Sequence, residues 1–265
     1  MSIFVIAEIG VNHDGDLNKA KRLIDAAKAA GADAAKFQYF SSRKLWRDDR
    51  LKHLEFRFSE MVVLHHYCQQ AGIEFMATPF GVEEVILLRQ LVKRYKIASG
   101  CITRVPILEA VKDTALPVIL STGMATLQEI STAEQVLWDG DLTLLHCTSA
   151  YPCPIADVNL RAMIELRDTF RTPVGYSDHT KGITVAIAAA AMGASVIEKH
   201  LTLDCTASGP DHAASIEPEE FRVMVSAIRT VEDALGDGVK RVLECEEPLR
   251  RLWHVAPETD SPSGY

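Results

Sequence analysis

Two histidines stand 21 residues apart, His179 in GYSDHT and His200 at the end of SVIEKH. Each follows a short apolar run that reads as a buried strand, so two imidazoles leaving neighbouring strands could approach to ligand distance. Such a pair with open remaining positions suits a catalytic divalent metal. Hydrogen bonding within the core would account for either histidine equally well. Two lysines suggest a second chemistry. Lys36 in AAKFQ and Lys96 in YKIAS both fall inside apolar runs. A lysine in a buried strand needs a partner, and a phosphorylated or carboxylated ligand would supply one. A core carboxylate such as Glu8 or Glu198 would also serve. Ser99, Ser121, Ser149 and Ser177 complete the set. Each hydroxyl alone reads as a turn residue, but four at successive strand ends, beside two lysines, suit an oxyanion-rich ligand.

Regular alternation of elements would bring these groups together. Eight short runs, FVIAEI (4–9), AAKFQ (34–38), EFMATP (74–79), YKIAS (95–99), PVILST (117–122), LTLLHCT (142–148), PVGYS (173–177) and SVIEKH (195–200), alternate with segments of helical period. Several are nearly continuous in apolar residues, as parallel strands covered on both faces are. Ala20, Leu23, Ile24 and Ala27 form one helical stripe, and Phe221, Met224, Val225 and Ile228 another. TLQE (126–129) is a capping box opening a helix that runs towards Gly140. Strand–helix alternation repeated eight times over about 235 residues predicts an α/β fold, a (β/α)8 TIM barrel in a single domain. The alternative, a doubly wound sheet, lacks a GxGxxG after its first strand. The barrel is expected over residues 1–245, with 246–265 a C-terminal tail whose APETDSPSGY segment is disordered. The C-terminal strand ends of a barrel converge on one mouth, and here those ends are unusually polar.

The chain has 265 residues and a net charge of −8, from 28 basic and 36 acidic side chains. That balance argues against a nucleic-acid surface, which needs a concentrated basic patch. It is compatible with a small anion held by a few local lysines. The six cysteines (68, 101, 147, 153, 205 and 245) form no CxxC pair and no metal-finger spacing, so they read as reduced thiols of a cytoplasmic protein. MSIFVIAEIG lacks a basic leader and a cleavage site. The longest apolar run, residues 183–197, is short for a bilayer and is broken by Thr184, Gly193 and Ser195. It reads as a buried helix, a turn at Gly193 and a buried strand, with no membrane segment.

The motifs AEIGVNHDGD, AKFQ, YKIASG, STGMA, HCTSAYP, GYSDHT, EKHLT and SGPDH resemble the sialic acid synthase family, in order and one per strand end, from about residue 3 to residue 240. Members of that family include N-acetylneuraminate, legionaminate, pseudaminate and spore-coat polysaccharide synthases. The resemblance implies a (β/α)8 barrel that condenses phosphoenolpyruvate with an open-chain 2-acetamido sugar aldehyde, using a divalent metal, manganese or magnesium. The products would be a nine-carbon 2-keto-3-deoxy acid and phosphate. Carried onto this chain, it implies that His179 and His200 bind the metal. Lys36, Lys96, Ser99, Ser121 and Ser177 would hold the phosphate and carboxylate of phosphoenolpyruvate, with Ser149 close by. Gln38, Tyr151 and Asp211 would face the sugar. Asp14 stands where some members carry an acidic residue after NH, and joins the catalytic candidates.

Two departures from the family are expected. Cys101 replaces a carboxylate expected near the sugar hydroxyls, and the family's C-terminal antifreeze-like domain is expected to be missing. In the family that domain reaches across a dimer and supplies an arginine to the acyl-amino group. A homo-oligomer, a dimer, is expected, or a partner protein that supplies the domain. The phosphoenolpyruvate chemistry is therefore expected to be intact and sugar recognition altered, with N-acetylmannosamine a poor acceptor. Two further readings are a metal-dependent aldolase or lyase acting on a keto acid and a non-catalytic barrel partner. The lysines and histidines argue against the second.

Overall fold

The computed structural model describes residues 2–42, 50–137 and 140–254. Its strands are β1 (Phe4–Gly10), β2 (Ala34–Tyr39), β3 (Glu74–Pro79), β4 (Tyr95–Ile97), β5 (Val118–Ser121), β6 (Leu142–His146), β7 (Val174–Asp178) and β8 (Val196–His200). They pair in the order β3-β2-β1-β8-β7-β6-β5-β4, each neighbouring pair parallel. β4 comes back beside β3 without a backbone ladder, so side-chain contacts close the barrel there, among them Arg94, just before β4, paired with Glu74 of β3 at 2.9 Å. The described helices are α1 (Leu17–Ala29), α2 (Phe58–Ala71), α3 (Val82–Leu88), α4 (Val105–Lys112), α5 (Leu127–Leu137), α6 (Ala162–Phe170), α7 (Thr184–Ala191), α8 (Pro218–Leu235) and α9 (Glu247–Trp253). This is the expected (β/α)8 barrel.

Local signals hold where they were strongest. Both apolar stripes, on α1 and α8, are buried residue for residue. Thr126 and Glu129 form the reciprocal capping box that starts α5, Glu129 accepting from the Thr126 amide at 2.7 Å. The run 183–197 divides into α7 and β8 with Gly193 between them at φ +93°. Among the described residues no helix is long and apolar enough to cross a membrane, and the cysteines are free. A first unit ends at Ala234 and a second begins at Leu235. Within the second, Glu247–Trp253 is helical. The segment expected to be disordered, 256–265, lies outside the described residues.

The period of two along each strand builds the barrel interior in tiers. Ile6, Ala34, Met76, Ile119, Leu145 and Val196 form a buried apolar floor. Two residues further along the same strands stand Glu8, Lys36, Thr78, Ser121, Cys147 and Glu198, and all six line a cavity. Two residues further again come Gly10, Gln38, Phe80, Gly123, Ser149 and His200. The intervening residues, among them Val5, Ala7, Phe37, Ala77, Leu120, Leu144 and Ile197, point outward into the main core beneath the helices.

Candidate active site

The cavity at the C-terminal ends of the strands has a volume of about 80 Å3. Its deepest charged tier alternates carboxylate and ammonium. Lys36 Nζ lies 2.7 Å from Glu8 Oε2 and 3.3 Å from Glu198 Oε2, and it donates to Thr78 Oγ1 at 3.3 Å. Lys96 Nζ donates to Ser121 Oγ at 2.7 Å and stands 3.7 Å from Glu198 Oε1, which also accepts from Ser177 Oγ at 2.8 Å. The core carboxylates that sequence reading offered as alternative partners therefore do pair with the lysines. The two lysines are not equally compensated. Burial works against the charge on Lys36, but Glu198 and Glu8 outweigh it and raise its pKa. Burial prevails at Lys96, whose pKa is lowered despite Glu198. An anion entering the site would restore what Lys96 lacks.

The carboxylates diverge for the same reasons. Burial pushes Glu8 up to about 7, against the pull of Lys36 and with repulsion from Glu198 added. Burial would also raise Glu198, but Lys36 and Lys96, with the Ser177 hydrogen bond, hold it down at about 2. Asp211, nearer the mouth, is raised by burial to about 6.

Above this tier sit the imidazoles. The His179 and His200 rings are 5.6 Å apart between centroids, and Tyr151 packs on both, 4.1 Å from His179 and 5.8 Å from His200. His179 Nδ1–H donates to the Thr148 carbonyl at 2.8 Å, so Nε2 carries the lone pair on the side of Ser177. His200 Nδ1 and Asp211 Oδ2, 3.7 Å apart, are buried without hydrogen-bond partners. Burial lowers the pKa of both histidines, with His179 adding to the effect on His200, so both are neutral donors. The site thus suits a divalent cation. Among the described residues no group of three or more His, Cys, Asp or Glu side chains is arranged to hold one by itself. Such a cation would complete its shell with water and substrate, as catalytic sites do.

Ten of the residues singled out in the sequence line this cavity: Lys36, Gln38, Lys96, Ser99, Ser121, Tyr151, Ser177, His179, His200 and Asp211. Two do not. Asp14, at φ +53° and exposed, accepts from Lys19 and lies 3.1 Å from His212 Nε2. Since His212 follows Asp211 and bonds Thr202 Oγ1 at 2.7 Å, Asp14 steadies the loop that carries Asp211. Ser149 lies beyond Gly123, where an added Cβ would come within 2.4 Å of its Oγ. Cys101 is packed in the main core, 1% exposed, and does not face the cavity. The turn Ser99–Cys101 presents Ser99 to the site and sends Cys101 the other way. Glu8, Glu198, Thr78 and Cys147 also line the cavity and were not among the site candidates. Their signal was available: each sits two residues beyond an apolar floor residue.

A cavity of this make-up at a barrel mouth has counterparts. The NeuB family model matches residues 23–240. The chain is 43% identical to the N,N'-diacetyllegionaminic acid synthase of Campylobacter jejuni, covering 92% of this chain and 80% of that protein. It is 39% identical to the human N-acetylneuraminate-9-phosphate synthase, covering 92% and 74%. The crystal structure of an N-acetylneuraminic acid (sialic acid) synthetase from Leptospira borgpetersenii, in complex with citrate, superposes with a TM-score of 0.91 at 38% identity, over 97% of this chain and 93% of that one. With the family model spanning most of the barrel, and the motifs on the strand ends where that family's synthases are resembled, the chain belongs to the NeuB family.

Proposed function

We propose that the protein is an N-acetylneuraminate synthase-like transferase. It would join phosphoenolpyruvate to the open-chain aldehyde of an acylamino sugar and release a sialic-acid-like 2-keto-3-deoxy acid and phosphate. The observation that carries this reading is the undercompensated Lys96, with Ser121 and Ser177 beside it, lying beneath two neutral imidazoles. Phosphoenolpyruvate would place its anionic groups against Lys96 and the hydroxyls, with its C3 directed upward to the aldehyde. C3 forms the new bond to the aldehyde carbon, whose oxygen gains a proton and becomes a hydroxyl. Water adds at C2, and phosphate leaves as that carbon becomes the ketone. Lys36, held between Glu8 and Glu198, keeps positive charge beneath the reacting carbons.

His179, through Nε2, and His200 would hold a divalent cation, manganese or magnesium, which when bound would polarise the aldehyde oxygen. Two lysines face three carboxylates in the cavity, so an anionic substrate gains from this added positive charge. Gln38, Tyr151 and Asp211, at the rim, would meet the sugar. Cys101 would not, because its thiol is turned into the core.

The test is phosphate release from phosphoenolpyruvate across a panel of aldoses and N-acyl aminosugars. Release should require an aldehyde, stop on chelation, return with manganese, and not return in His200→Ala. Aldehyde-independent release, or cleavage of a keto acid without phosphate, would point to lyase chemistry. Full activity in excess chelator would remove the cation from the mechanism.

A further inference from the structure

The outward faces of the strands pack beneath the helices and are apolar almost throughout, yet β7 and β8 place a charged pair there. Asp178 and Lys199 are register partners on the two strands, their side chains 0% exposed, with Nζ 2.8 Å from Oδ2. The remaining polar atoms are satisfied locally. Asp178 Oδ1 accepts from the Thr180 amide at 2.9 Å and the Thr180 hydroxyl at 2.8 Å, and Lys199 Nζ also donates to the Thr180 carbonyl at 2.5 Å. A buried ion pair seldom adds net stability over apolar residues of similar volume, and its best-attested use is to fix register. What this one fixes is visible in the chain order. Asp178 and Thr180 flank His179, and Lys199 immediately precedes His200. The pair therefore ties together the backbone on both sides of one imidazole and the residue before the other, across the seam between their strands.

We propose that Asp178 and Lys199 are positioning residues, a pin on the outer face of the barrel that sets the spacing of His179 and His200 on the inner face. The proposal rests on reading those imidazoles as a cation site. Neither residue reaches the cavity. They act through the two strands, as outer partners that orient ligands do in metal sites generally.

The test uses the double variant Asp178→Asn/Lys199→Met. It removes both charges together, which avoids stranding one, retains an Asn oxygen for Thr180, and keeps the lysine stem volume. Manganese affinity is measured on the folded, metal-free protein by the loss of the free-ion paramagnetic resonance signal. Ile228→Ala, a core truncation on α8 outside the hydrogen bonds of the pair, serves as the control for lost stability alone. The double variant should bind manganese about 10–100-fold more weakly than wild type, whereas Ile228→Ala should bind as wild type does. Binding by the double variant within twofold of wild type (about the scatter of such a titration), at a site that His200→Ala abolishes, would overturn the pin and leave the cation site standing. Failure of wild type itself to bind manganese would overturn the cation reading and the pin with it. If the double variant does not fold, Asp178→Asn alone retains every heavy-atom position. A weakened manganese affinity there supports the pin, and an unchanged one overturns it.

Discussion

Replacing Lys96 with methionine is expected to weaken phosphoenolpyruvate binding by about 2–5 kcal/mol, the usual cost of removing one partner from a desolvated charge pair. The folded protein should tolerate this change better than the same change at Lys36. Lys96 has one carboxylate at 3.7 Å, whereas Lys36 lies between two at 2.7 and 3.3 Å. Lys36→Met strands Glu8 and Glu198 beside each other, and breaking a buried pair in this way costs about 3–5 kcal/mol of stability. Urea unfolding of the two variants, read beside calorimetry of phosphoenolpyruvate binding, separates the roles. Equal destabilisation by both would show that the lysines are not differently compensated. Unchanged affinity in Lys96→Met would show that this lysine serves the protein and not the ligand.

Among the elements, β1 and the turn after β4 place the site's chemistry with little tolerance. The β1–β2 register shifts between Glu8 and Gly10, and Gly10 takes φ +53°. A Cβ there would meet Asp211 Oδ2 at 3.1 Å, Gln38 Nε2 at 3.2 Å and Glu8 Oε1 at 3.2 Å. Gly10→Ala should therefore cost about 1–3 kcal/mol of stability from backbone strain. It should also raise the Michaelis constant for the sugar more than that for phosphoenolpyruvate, because two of the three groups it disturbs, Asp211 and Gln38, are at the rim. Steady-state kinetics with each substrate varied in turn would check this. After β4, the turn that exposes Ser99 buries Cys101. Cys101→Asp, designed to restore the family's carboxylate, should instead leave an unpaired carboxyl in the core. The expected loss is about 1–3 kcal/mol or more, with no gain in turnover of N-acetylmannosamine. A gain in turnover without lost stability would show that the residue reaches the sugar after all.

At the scale of the whole molecule, the stacked charges of the barrel interior should appear in the pH dependence of folding. Burial raises Glu8 from 4.5 to about 7 in the folded state. A carboxyl raised in this way favours folding fully below 4.5, and its contribution is lost as pH climbs towards 7, because the unfolded chain ionises first. Glu198 has the opposite sign. Its pKa is held at about 2, so its contribution is present above 4.5 and is lost as pH falls towards 2. Glu8→Gln cannot titrate. Wild type should therefore lose stability relative to Glu8→Gln as pH rises from 4.5 to 7, in urea unfolding at several pH values. A constant difference between the two would mean that Glu8 titrates normally in the fold.

The sequence by itself determined the alternation of strands and helices, the apolar stripes on α1 and α8, and which strand ends are polar. These follow from periodicity and capping, which act over a few residues and need no knowledge of neighbours in space. Reading of the strand ends placed Lys36, Lys96, Ser99, Ser121, Ser177, His179 and His200, the resemblance added Gln38, Tyr151 and Asp211, and the barrel gathers all ten around one cavity. What the sequence left open was whether the lysines pair with core carboxylates or with a ligand. Lys36 meets Glu8 and Glu198 because β2, β1 and β8 lie side by side, Lys36 opposite Glu8 and Glu198 opposite Ile6, and that neighbourhood joins residues 28 and 162 positions apart. The orientation of Cys101 and Asp14 was equally hidden, since a single turn decides which way a side chain leaves the backbone. Asp178 and Lys199 illustrate the same limit. In the sequence they are two polar residues next to histidines, and only the ladder between β7 and β8 turns them into a buried pair on the outer face. Local physics sets which residues alternate. Closure of the barrel decides which of them meet.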